Sequence, residues 1–243
     1  MGQTSTVILI LAIIFVLGSI AFVIQTIEER KRARKLKIMS LKGKVRNAVN
    51  IYKGIPDLFM TVELHDFLRK FINNRWQTLH TLVTTQESQR SFDAFKERCK
   101  NRVMHVQHPT GSMTIFQDDG QVYHMLGKFK ELQQWLADLH RKKQIPETTY
   151  AELKWQVKDF YDRVSCDIEV LEAIETQRAH GEKAGYHKFN IALKSLNGLN
   201  QSESLDSQIF AIHNHMETLK AIYEEQEALE EERRLAELED EDL

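Results

Sequence analysis

Residues 205–226 read LDSQIFAIHNHMETLKAIYEEQ, the clearest structural pattern in the 243-residue chain. The apolar positions recur at alternating steps of four and three, which places them on one face of an α-helix. They are Leu205, Ile209, Ile212, Met216, Leu219 and Tyr223, followed by Gln226. Three heptads of this kind predict a long helix with a coiled-coil-like face. We expect this face to contact a partner protein or a second copy, although packing within the chain satisfies the same pattern.

Upstream of this stretch the chain repeats the helical period between clusters of Gly and Pro. Pro146 is a residue type favoured where helices begin, and an apolar stripe follows it as far as Ile174. This pattern predicts a helix that ends near His180, and a shorter helix follows near Tyr186 to Leu196. Long helices joined by short breaks predict an all-α fold in which the body is a helical bundle with long coiled-coil-like helices.

Residues 105–125 are the irregular part of the body. Asp118-Asp119-Gly120 stands between MTIFQ and QVYHM, and Asp-Gly supplies the positive φ of a tight hairpin turn. The alternative is a loop with at most a short hairpin, and we favour this loop slightly over the hairpin.

The N-terminal region contains a long apolar run. Val7 to Ile24 reads VILILAIIFVLGSIAFVI, eighteen residues without a charge. As a helix it extends roughly 27 Å at 1.5 Å per residue, close to the hydrocarbon thickness of a bilayer. We expect an uncleaved single transmembrane helix, because no basic residue precedes the run and no small-residue cleavage site follows it.

Charge along the chain is strongly asymmetric, although the net charge is only −2. Residues 1–50 carry +7, residues 51–223 carry 0 and residues 224–243 carry −9. Since positive charge stays on the cytoplasmic side of a membrane, the N-terminus is expected outside and residues 28–243 in the cytoplasm. This predicts a cell membrane protein, in the inner or plasma membrane, whose two cysteines, Cys99 and Cys166, stay reduced.

A basic stretch directly follows the apolar run. Its first six basic residues are Arg30, Lys31, Arg32, Arg34, Lys35 and Lys37. They act as a topology signal, and near the bilayer they also attract anionic lipid headgroups. Clustered Lys and Arg also suit nucleic-acid phosphates, but closeness to the bilayer makes nucleic acid the weaker hypothesis.

These patterns divide the chain into four parts. Residues 1–27 form the membrane anchor, residues 28–53 a basic juxtamembrane helix and residues 54–200 the helical bundle. Residues 201–243 form the long heptad helix with its acidic C-terminal end.

The sequence contains no recognisable catalytic, metal or cofactor motif. The ten histidines form no Glu-x-x-His pair or H-E-x-x-H motif, and a closed zinc site needs four ligands. His213 and Glu217 share a helical face, but two ligands from one turn do not make a site. No small-molecule substrate is evident.

We therefore expect a non-enzymatic, single-pass membrane protein without a cofactor, acting as a scaffold, adaptor or regulator through helix-mediated protein contacts. The alternative hypothesis is a membrane-tethered, nucleic-acid-associated protein that uses the basic juxtamembrane stretch.

Overall fold

The structure, a computed structural model, describes residues 3–83, 86–104, 108–200 and 203–241. The side chains of residues 3–14, 16–18, 21, 88 and 238–241 lie outside its described part. Within the described ranges every regular element is helical, so the prediction of an all-α fold is confirmed there. The elements are α1 Gln3–Gly54, a 3₁₀ helix Asp57–Phe59, α2 Val62–His80, α3 Gln86–Asn101, α4 Asp119–Arg141, α5 Glu147–His180, α6 Glu182–Leu199 and α7 Asp206–Glu241.

Local sequence signals set the two ends of α5. Pro146 is the N-cap, in extended backbone, and the helix begins at Glu147. Gly181 ends the helix with a backbone φ of 84°, a conformation that residues with a Cβ rarely adopt. The predicted helix that starts at Pro146 and ends near His180 is therefore confirmed within one residue.

The Asp118-Asp119-Gly120 segment starts a helix and does not form a hairpin turn. The Asp118 carboxylate accepts the backbone N–H of Gln121 at 2.9 Å, which makes Asp118 the N-cap of α4. QVYHM therefore lies in the first turns of α4, and residues 108–118 form a loop. In the described part of residues 105–125 the loop alternative is correct. Residues 105–107 lie outside it.

The long helix α1 runs without a break from Gln3 to Gly54, through the boundary predicted between residues 27 and 28. Most of the predicted anchor, residues 7–14, 16–18 and 21, falls outside the described side chains. Within the described part of the chain, no helix is long and apolar enough to cross a membrane. The single-pass anchor therefore stays a prediction from the sequence.

The chain divides into two units, of which the first comprises Met1–Asn50 and Leu68–Asn101. In this unit α2 and α3 contact each other through the rings of Trp76 and Phe92, which stack with centroids 4.9 Å apart. The other buried apolar residues of the unit are Leu41, Val45, Ala48, Leu68, Ile72, Leu79, Phe95 and Cys99. Three of these residues, Leu41, Val45 and Ala48, belong to α1, and their spacing of four and three places them on one buried helix face.

The second unit comprises Ile51–Phe67 and Arg102–Leu243. Its first half is organised around three phenylalanines, Phe59, Phe129 and Phe160, with ring centroids 5.2 to 5.9 Å apart. Helices α4 and α5 form an antiparallel pair. The rings of His140 and Tyr150 stack 4.4 Å apart beside the turn that joins these two helices.

The second half of this unit is a three-helix arrangement of α5, α6 and α7. Gly185 of α6 lies against Gln177 of α5, on either side of the Gly181 turn, so these two helices are antiparallel. The His215 ring nitrogen lies 2.8 Å from the Gln177 side-chain oxygen, and Gln208 contacts Asp167. The two pairs show that α7 runs in the same direction as α5.

Candidate functional surfaces

The heptad positions of α7 pack inside the chain. We call Leu205, Ile209, Ile212, Met216, Leu219 and Tyr223 the core stripe. Leu205, Ile212, Met216 and Leu219 are buried, and Ile209 and Tyr223 are half-buried. Their neighbours in the same cluster are Cys166, Val170 and Ala173 of α5 and Phe189, Ala192 and Leu196 of α6. The face that we expected to meet a partner therefore contacts the chain's own helices.

The C-terminal half of α7 extends beyond this core. We call residues 224–237 the distal arm, and each of its side chains is exposed. Two contacts join this end of α7 to α6, and among the described side chains they lie farthest along the helix. They are the edge-to-face pair of Tyr223 and Tyr186 and the ion pair between Lys183 and Glu227. The distal arm carries seven Glu and two Arg, a net charge of −5. It is therefore an exposed acidic helix in a chain whose other end is basic.

The basic residues between positions 30 and 37 lie on α1, outside its buried positions Leu41, Val45 and Ala48. Arg30, Lys31, Arg32, Arg34, Lys35 and Lys37 are all exposed. The Arg34 guanidinium donates a hydrogen bond to the Leu82 carbonyl at 2.9 Å, which places the segment after α2 beside this stretch. An exposed cationic helix of this kind suits anionic headgroups or other phosphate groups, because Coulombic attraction needs only accessible charge.

A buried polar cluster joins α5, α7 and the loop before α4. Gln208 donates one hydrogen bond to Asp167 at 3.1 Å and another to the Met113 carbonyl at 2.8 Å. Nearby, a ring nitrogen of His108 lies 2.8 Å from the Ser112 carbonyl oxygen. Burial raises the pKa of Asp167 to about 6, although hydrogen bonds from Thr114 and Gln208 oppose the shift. Burial lowers the pKa of His108.

The cavity beside this cluster is too small for a substrate. Its volume is about 20 Å³, and His108, Arg163, Asp167 and Gln208 contribute to its walls. About 10–15 Å³ is enough for one water molecule, whereas small-molecule pockets measure about 300–1,000 Å³. The cluster therefore has the size and the polar groups of a hydrated structural site.

A larger groove of about 640 Å³ lies between α5 and the start of α4. Phe116, Leu171 and Ile174 form its apolar wall, and Asp119 and Arg178 are among its charged residues. This groove has no signature in the sequence, because some fifty residues separate its two walls and no local motif links them. Its volume is in the range of ligand pockets, but its acidic side chains lie at a helix start that Asp118 already caps.

The described residues include few candidates for a metal site or a catalytic nucleophile. Among them, no three His, Cys, Asp or Glu side chains converge in a way that could hold a metal ion. His213 and Glu217 are exposed, whereas His215 is half-buried against Gln177. Burial raises the pKa of the Cys166 thiol to about 12, which keeps it protonated and poorly nucleophilic at neutral pH.

Comparisons of this chain with protein-family models, with curated proteins and with solved structures find no match.

Proposed function

We propose that this chain is a single-pass, membrane-anchored adaptor of the cell membrane whose cytoplasmic helical body holds out the distal arm of α7 for a protein partner. In this proposal the protein is not an enzyme and uses no cofactor. Contact between helices is its mode of action.

The anchor is supported by the sequence of residues 7–24 and by its flanks. Eighteen uncharged residues are long enough to span the hydrocarbon core as a helix, and only a helix satisfies its own backbone there without partners. The six basic residues of Arg30–Lys37 follow the run, and no charged side chain precedes it. This asymmetry favours a cytoplasmic body. Because α1 is continuous to Gly54, the anchor would pass directly into the juxtamembrane helix.

The observation that carries the adaptor proposal is the length of α7. Its described contacts with other helices extend as far as Glu227, yet the helix continues to Glu241. Within this extension, Leu229 and Leu235 are more than half exposed. An exposed helix with solvent-facing Leu side chains gains stability when a partner covers them, at about 25 cal/mol for each Å² of apolar area.

The non-enzymatic part of the proposal is supported by the interior. The polar cluster around Asp167 and Gln208 surrounds space for about one water molecule, and these side chains hydrogen-bond to each other. These hydrogen bonds join α5, α7 and the loop before α4.

Proximity labelling in cells tests the proposal. The labelling enzyme is fused to the C-terminus of the full chain, and the control fusion carries only residues 1–53, which include the same anchor and basic stretch. We expect the full chain to label at least one protein that the control does not, and deletion of residues 224–243 to abolish this labelling without release from the membrane. Identical labelling by both fusions would contradict the adaptor proposal. Salt-sensitive retention of duplex DNA, lost on neutralising Arg30–Lys37, would favour the nucleic-acid alternative.

A further inference from the structure

Helix α7 carries a second set of apolar side chains, and those that the structure describes are exposed. Four large apolar side chains on α7 are exposed: Phe210 to 64%, Ile222 to 38%, Leu229 to 56% and Leu235 to 53%. At about 100° per residue, all four lie on the side of the helix opposite the core stripe. The core stripe explains the fold of α7, so this second face needs a separate explanation.

The second face repeats every seven residues in the C-terminal half of α7. Apolar pairs occur at 221–222, 228–229 and 235–236, as Ala-Ile, Ala-Leu and Leu-Ala. Glu225 and Glu232 lie between these pairs on the same side of the helix, and both are exposed. We call the face formed by Ile222, Glu225, Leu229, Glu232 and Leu235 the distal seam. In this seam the apolar pairs recur every seven residues, and the two carboxylates, also seven residues apart, lie along its centre.

We infer that the distal seam binds an amphipathic basic helix of a different protein, which places apolar residues against Ile222, Leu229 and Leu235 and Lys or Arg against Glu225 and Glu232. This inference rests on the proposed adaptor function and names the class of its partner. It uses helix-to-helix recognition, in which apolar residues give affinity and paired charges give specificity.

Charge complementarity selects a basic partner and disfavours a second copy. In a parallel pair of two copies, Glu225 would face Glu225 and Glu232 would face Glu232. In an antiparallel pair centred between Ala228 and Leu229, Glu225 would face Glu232. Both orientations place carboxylates against carboxylates within an apolar seam, and such contacts are strongly unfavourable. The net charge of −5 on the distal arm also repels anionic lipids and nucleic acids.

The intrachain contacts of α7 orient this seam outward. Tyr223 lies against Tyr186, and Glu227 pairs with Lys183 at the start of α6, so both hold the opposite side of the helix. These contacts hold the helix near the beginning of the distal arm. The seam is therefore already helical before a partner binds. A preorganised helix loses less conformational entropy when it binds.

A peptide-binding experiment tests the inference with the full chain in discs of zwitterionic phosphatidylcholine. The probe is a fluorescent, charge-inverted copy of residues 217–237, in which each Glu is Lys and each Lys or Arg is Glu. The matched probe is the native copy of the same residues. By fluorescence anisotropy we expect the charge-inverted copy to bind at least about tenfold more tightly than the native copy.

Two double variants of the full chain separate the seam from simple net charge. Glu225→Lys with Glu232→Lys changes the seam, whereas Glu230→Lys with Glu237→Lys makes the same charge change, at the same spacing, on the opposite side of the helix. We expect the seam variant to lose binding of the charge-inverted probe by about tenfold or more and to gain binding of the native copy. The control variant should change probe affinity by less than about threefold.

Three outcomes would overturn the inference. They are equal loss of affinity in both double variants, absence of binding by the unchanged chain, and a dimer of the unchanged chain that Leu229→Glu dissociates in sedimentation. Circular dichroism of each variant shows whether the helices are retained. If the inference fails while C-terminal proximity labelling still depends on residues 224–243, the adaptor proposal stands with a different partner class.

Discussion

Gln208 of α7 donates a hydrogen bond from Nε2 to Oδ1 of Asp167 on α5 at 3.1 Å, although 41 residues separate them in sequence. The same nitrogen donates to the Met113 carbonyl at 2.8 Å, so one buried amide joins two helices and the loop before α4. Both side chains are at most 4% exposed. A buried carboxyl group with so little access to water resists ionisation unless donors compensate.

Asp167→Asn should change the pH dependence of stability. The folded pKa of Asp167 is about 6, raised from 3.8 by burial, so between pH 4 and 6 the folded chain binds more protons than the unfolded chain. The contribution of Asp167 to the free energy of unfolding therefore decreases as pH rises through that range and does not change further above it. The whole decrease is up to about 3 kcal/mol. Relative to the variant, the unchanged chain should become less stable from pH 4 to 6. Denaturant unfolding at four pH values measures this difference.

His108 acts in the opposite direction, because burial lowers its pKa and an unfolded chain then takes up the extra proton. The difference between unchanged chain and variant removes this contribution, since both retain His108. Asp93→Asn, at an exposed position in the first unit, is the control for removal of one carboxyl group. If the unchanged chain and the Asp167→Asn variant keep the same pH profile, the buried carboxyl group does not titrate as described.

Arg102→Lys should destabilise the second unit. The buried Arg102 side chain donates to Asp57 at 2.7 Å, to the Tyr52 carbonyl at 2.7 Å and to the Ile55 carbonyl, and its guanidinium lies over the Tyr52 ring. These carbonyls stand at the end of α1, where helix carbonyls lack intrahelical partners. A lysine cannot reproduce the planar fork of donors, so we expect a loss of about 1–3 kcal/mol.

Arg98→Lys is the matched control for this change, because Arg98 is exposed. It should alter the free energy of unfolding by less than about 0.5 kcal/mol. Equal effects of the two substitutions would show that the contacts of Arg102 contribute little to stability.

Gly185→Ala and Gly198→Ala, both in α6, should have opposite effects. A Cβ at Gly185 would lie 2.6 Å from Cβ of Gln177, whereas a Cβ at Gly198 meets nothing within 4 Å. The first substitution forces α5 and α6 apart and should cost about 1–3 kcal/mol. The second should stabilise the helix by up to about 1 kcal/mol, because alanine loses less backbone entropy. Thermal unfolding of both variants tests the close approach, and a neutral Gly185→Ala would argue against it.

Removal of residues 1–27 should release the chain from membranes. The full chain is expected to stay in the membrane pellet after extraction at alkaline pH, since an eighteen-residue apolar helix inserts stably. In intact cells, a membrane-impermeant maleimide should label a Gln3→Cys variant and leave a Glu237→Cys variant unlabelled. Release of the full chain at alkaline pH would contradict the anchor, and the reverse labelling pattern would contradict the orientation.

Helix positions were predictable where strong local signals end or start a helix. Pro146 and Gly181 fix the ends of α5 through their own backbone conformations, and the periodic apolar residues between them need only one neighbouring surface. The Asp118-Asp119-Gly120 segment was not predictable in this way. Asp-Gly occurs both in hairpin turns and at helix starts. The choice between them depends on the apolar face of α4, whose residues Phe129 and Leu132 are buried.

The sequence by itself determined the helical class, the period of each apolar stripe and the separation of charge between the two ends, because these properties depend on residue order alone. Only the tertiary structure decided that the core stripe of α7 packs against α5 and α6. An apolar heptad specifies that a face must be buried, but not which surface buries it. The tertiary structure also left the opposite face of α7 exposed, and the distal seam lies on that face.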